Sequence, residues 1–112
     1  MWTADKIREL SQFFEPLEGT PDERLAINFM NNITWLVARE AIFAHATQIS
    51  LNIPRQIYPM TDKSLRPYFL SICNGPEMEE IVYTALRKLK KAGFKIGFDG
   101  VWADIDWEED NA

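Results

Sequence analysis

A single cysteine, Cys73, stands in the 112-residue chain, so no disulfide can form within it and the bridge-stapled class of small secreted domains is excluded. His45 is the sole histidine, which together with one cysteine removes the usual zinc sets. Glycine is scarce, five residues in all, and none belongs to a phosphate-cradling loop or a Gly-x-Ser-x-Gly elbow. Long apolar runs are missing. Trp35 to Ala38 stops at Arg39-Glu40 and Ala41 to Ala44 at His45, far short of the roughly 20 residues of a membrane span. The start, Met1 to Lys6, has no basic stretch followed by an apolar one, so no secretory signal is expected. These absences lead to the expectation of a cytoplasmic protein that is not an enzyme and carries no metal, cofactor or membrane span.

What is present is acidity. Seventeen Asp and Glu against twelve Lys and Arg give a net charge of −5, a field that repels a phosphate backbone and disfavours nucleic acid as a partner. The charge is also segregated: Arg87, Lys88, Lys90, Lys91 and Lys95 form a basic block, followed by Asp99, Asp104, Asp106, Glu108, Glu109 and Asp110. No repeat or low-complexity linker divides the chain, so residues 1–112 are expected to form one domain.

Periodicity and capping predict an α+β fold, mostly α: three main helices plus one short helix, closed by a C-terminal two-stranded antiparallel β-hairpin. The first helix is expected over about 4–14, capped by Thr3 and stopped by Pro16. Thr20-Pro21-Asp22-Glu23 is a capping-box start with proline at the first helical position, and no proline or glycine interrupts the next stretch, so a long helix is expected over 21–48. Its core half holds Leu25, Ala26, Phe29, Met30, Ile33, Leu36, Val37, Ala41, Phe43 and Ala44. Glu40 projects near the middle of that apolar face, which calls for a cation such as Arg66 or a helix kink. Residues 50–61, with Pro54 and Pro59, read as an irregular connection, followed by a short helix over 65–73 and a helix over 76–92 ended by Gly93. The hairpin spans about 94–107, with Asp99-Gly100 as a two-residue turn, and 108–112 form an acidic tail. That turn pairs Phe98 with Val101, Ile96 with Ala103 and Phe94 with Ile105, sets Lys95 opposite Asp104, and puts Trp102 on the outer face across from Gly97.

Three constellations stand out. The first is Trp102, Asp104 and Asp106 with Glu108, Glu109 and Asp110. Tryptophan anchors protein interfaces and clustered carboxylates steer basic surfaces, so this strip is the expected partner-binding site. Its structural alternative is an indole lying on Lys95 above a solvated tail. The second is Arg55, Tyr58, Lys63, Arg66 and Tyr68, where cations and tyrosines suit an anionic small ligand such as a nucleotide. The third is a polar stripe on the long helix, with Asn28, Asn31, Trp35 and Arg39 as a self-association surface for a homo-oligomer.

The basic block has an ordinary explanation, because acid at the start and base at the end of the 76–92 helix complement its dipole. In layout, a helix stopped at Gly93 and followed by a hairpin resembles the recognition helix and wing of winged-helix DNA binders, which implies a nucleic-acid binder, although this wing is acidic. The favoured expectation is a small acidic non-catalytic protein that blocks a basic surface on a partner protein, as immunity proteins or phage-encoded counter-defence inhibitors do. The alternative is a module that sequesters an anionic ligand.

Overall fold

The computed structural model of the chain describes residues 14–107. The expected first helix, apart from Phe14, and the tail with Glu108, Glu109 and Asp110 lie outside the described residues. Helix α1, Pro21–Phe43, starts as its sequence dictates: Thr20 Oγ1 accepts the Glu23 N–H at 3.2 Å, and Glu23 Oε1 accepts the Thr20 N–H at 3.2 Å. Its apolar face, from Leu25 through Phe29, Ile33 and Val37 to Ala41, is buried in the core.

The helix ends five residues before the expected limit of 48, at Phe43. His45 takes the left-handed conformation, φ +51, which turns the chain so that the N–H groups of Ala44 and Ala46 both reach the Glu40 carbonyl, at 3.1 and 3.2 Å. Histidine is one of the few non-glycine residues enriched in that region. Two expectations are thereby corrected. Phe43, assigned to the core, is 81% exposed and Ala44 is exposed as well. Glu40 is half-buried in the last turn of the helix, and Arg66 is not its partner, since the guanidinium donates instead to the carbonyls of Thr61 and Pro59, each at 3.1 Å.

The released chain forms strand β1, Gln48–Asn52, where a helix end and an irregular connection were expected. The order Gln48-Ile49-Ser50-Leu51-Asn52 alternates polar and apolar, so one face can be buried, and Leu51 is fully so. Irregular π-helical and 3-10 turns over 53–60 follow, as the two prolines predict. Short helix α2, Arg66–Ile72, sets Phe69 edge-on to Phe29 with ring centroids 5.7 Å apart. Helix α3, Pro76–Lys91, buries Met78, Ile81, Val82, Ala85, Leu86 and Leu89, and Gly93 with φ +103 lets the chain turn into the hairpin.

Strands β2, Lys95–Phe98, and β3, Trp102–Asp106, form that hairpin, but its register is two residues away from the expected one. Phe98 pairs with Ala103, Ile96 with Ile105, and Lys95 with Asp106 instead of Asp104. The cause lies in Asp99. Only Gly100 has a positive φ, and the Asp99 carboxylate accepts the N–H groups of Val101 at 2.9 Å and Trp102 at 2.7 Å, which moves the centre of the turn to Gly100-Val101. A shift of two leaves every side chain on its expected face. The hairpin is not a lone pair either: β1 joins β3, giving a three-stranded antiparallel sheet in the order β1-β3-β2 with β3 central. The inner face of the sheet, with Leu51, Ala103 and Ile105 buried, joins the helical core.

Candidate functional site

The outer face of this sheet places Trp102, Asp104 and Asp106 side by side along the central strand. The alternation of β3 requires it, because Ala103 and Ile105 between them are buried. Strand β1 adds Asn52 beside Trp102, Ser50 beside Asp104 and Gln48 beside Asp106. On the other flank Gly97 lies beside Asp104 and Lys95 beside Asp106, and Asp99 donates its backbone N–H to the Trp102 carbonyl at 3.2 Å. Trp102 is 46% exposed, although its strand is the middle one of the sheet. A shallow trough of about 630 Å³ opens across the strands over Asp104 and Asp106.

The carboxylates on this face differ in what holds them. Asp104 Oδ1 accepts the Ser50 hydroxyl, while its second oxygen has no partner among the described residues. Asp99 is engaged by backbone: the N–H groups of Trp102 and then Val101 hold its carboxyl below the ordinary aspartate range. Sequence reasoning placed Trp102, Asp104 and Asp106 on the outer face but missed the contribution of Gln48, Ser50 and Asn52. The signal for these three was the alternation over 48–52.

Of the expected ligand cluster, Tyr58, Arg66 and Tyr68 make contacts within the fold, while Arg55 and Lys63 are exposed. Arg66 lies over the Tyr58 ring, 5.8 Å from its centroid, while it tethers the 59–61 backbone, and Tyr58 packs against Phe69 at 5.1 Å. The Tyr68 hydroxyl donates to the Asp22 carboxylate, a bond that raises its pKa above the ordinary tyrosine value. Arg55 is exposed in the π-helical turn, with its backbone N–H bonded to Asn52 Oδ1 at 3.1 Å, and Lys63 is exposed in a 3-10 turn. Nearby, Asp62 caps that turn, its carboxyl lowered first by the Ser64 hydroxyl and then by the Ser64 N–H.

The polar stripe of α1 is divided in the same way. Asn28 is buried and accepts the Asp62 N–H at 3.1 Å, whereas Asn31 takes the Glu15 N–H at 3.0 Å and donates to the Glu15 carbonyl at 2.9 Å. Asn32 donates to the Met60 carbonyl at 3.1 Å. Trp35, 47% exposed, and Arg39, stacked on it at 5.4 Å, are left on the surface. Arg87, Lys88, Lys90 and Lys91 of the basic block lie exposed along the end of α3, where Lys88 pairs with Glu15 at 2.8 Å, and Lys95 lies on β2. Among the described residues no group of three or more His, Cys, Asp or Glu is arranged to hold a metal ion, and no helix is long and apolar enough to cross a membrane.

Compared with protein-family models, with curated proteins and with solved structures, the chain gives no match.

Proposed function

We propose that the protein is a small acidic binding protein of the cytoplasm, without catalytic activity, that blocks a basic surface on a partner protein in the manner of an immunity protein or a phage-encoded inhibitor. Its contact face is the outer side of the sheet, with Trp102, Asp104 and Asp106 at the centre and the acidic tail Glu108, Glu109 and Asp110 adjoining in sequence. One observation carries this reading: a large indole stands half-exposed on the middle strand, on the same face as two carboxylates. A surface tryptophan supplies contact area at low entropic cost, and carboxylates around it accelerate encounter with a basic patch and set its orientation.

The test is quantitative capture from an extract of the source cells with the full chain and its Trp102→Ala/Asp104→Asn variant. The proteins held by the wild type should be basic, should be lost by the variant, and should be released between about 0.1 M and about 1 M salt, where the Debye length falls from about 10 Å to about 3 Å. Equal capture by the variant would place the contact elsewhere on the molecule.

A further inference from the structure

We propose that the outer sheet face receives the guanidinium group of an arginine side chain from the partner protein, in the notch above Gly97. This rests on the docking reading and names the group that the face takes. Gly97 is the one outward position of the three strands without a side chain, and it lies directly beside Asp104. A Cβ added there would meet only the Asp104 Cβ, at 4.0 Å, so the space above the glycine is open. Ser50 holds Asp104 Oδ1 from the β1 side, opposite to Gly97, and the second carboxylate oxygen remains for a donor entering over the notch.

The indole of Trp102 stands two residues along the same strand, about 7 Å away on the same face. A carboxylate oxygen, an aromatic wall and a bare floor form a receptor for a flat cation. Guanidinium is planar, weakly hydrated and able to stack on an indole while bonding a carboxylate, whereas an ammonium group is a compact and strongly hydrated point charge. Lys95, the next outward residue on β2, stands opposite Asp106 and lines the trough at its far end, so the guanidinium is taken at the Gly97–Asp104 position, the one nearer Trp102.

The experiment is an amide and indole NMR titration of the full chain with N-acetyl-arginine amide and, separately, N-acetyl-lysine amide. Arginine should give saturable shifts at Gly97, Asp104 and the Trp102 indole, with binding about threefold tighter than lysine. Gly97→Val fills the notch with a side chain well suited to a strand and should abolish the response. Should that variant disturb the sheet, Trp102→Ala serves in its place and should erase the preference for arginine over lysine. Absence of saturable shifts, equal response to the two amides, or a response that survives Gly97→Val in an intact sheet would overturn the notch. A wild type that fails this titration yet still captures partners in a salt-sensitive, Trp102-dependent way would overturn the notch alone, leaving the docking face standing.

Discussion

Among the described residues Trp35 and Trp102 are both half-exposed, and they sit in contrasting surroundings. Trp35, 47% exposed, belongs to a helix whose neighbouring polar residues are spent inside the molecule: Asn28, Asn31 and Asn32 bind the backbone of Asp62, Glu15 and Met60. Arg39 lies over the ring of Trp35 itself. Trp102, 46% exposed, stands on a face where the polar contact beside it runs from strand to strand, Ser50 donating to Asp104. The difference teaches that a polar residue on an amphipathic helix is evidence for a surface only when no loop needs its hydrogen bonds. Side chains around the 52–66 connection hold the fold, whereas on the outer sheet face the Trp102 ring and the second oxygen of Asp104 stand exposed.

Perturbation separates the two regions. The largest loss of stability should come from Arg66→Ala, which deprives the Thr61 and Pro59 carbonyls of a charged donor and should lower the unfolding free energy by about 2 kcal/mol in urea denaturation. Asn31→Ala, which frees both backbone groups of Glu15, should follow at about 1 to 2 kcal/mol. On the outer face, Trp102→Ala should cost about 1 kcal/mol or less, within the span of strand propensities, while removing partner capture. A larger loss for Trp102→Ala than for Arg66→Ala would erase the distinction.

The smallest effect is a matter of pH. The Asp99 carboxyl is held below its ordinary value by the N–H groups of Trp102 and Val101, so its ionised form is favoured in the folded chain. Its contribution is therefore present above the ordinary aspartate value and is lost as pH falls through the lowered one. The difference in urea midpoint between wild type and Asp99→Ala should narrow as pH is lowered from about 6 to about 2.5. A constant difference would mean that the turn does not depend on the charge.

Most of the fold was legible. The capping box at Thr20, the proline starts of α1 and α3 and the alternation in the hairpin are local signals, and the elements follow them. The failures share a cause, which is that a residue other than glycine shaped a reversal of the chain. His45 supplied a left-handed stop where none was expected, so β1 was hidden inside a supposed helix, and Asp99 used its carboxylate to shift the turn by one position. Of the site, the facing of Trp102, Asp104 and Asp106 was legible because a two-residue register shift preserves parity. The flanking β1 residues and the notch at Gly97 were not, since both depend on which strand lies next to which.

The most direct test of the docking face uses the two tryptophans against each other. Their exposures are nearly equal, 47% for Trp35 and 46% for Trp102, so radical oxidation of the free chain should label both to a similar extent. Labelled again in the presence of source-cell extract, Trp102 should be protected and Trp35 should not, and high salt should remove the protection. Protection of Trp35 with Trp102 unchanged would contradict the account and assign the contact to α1.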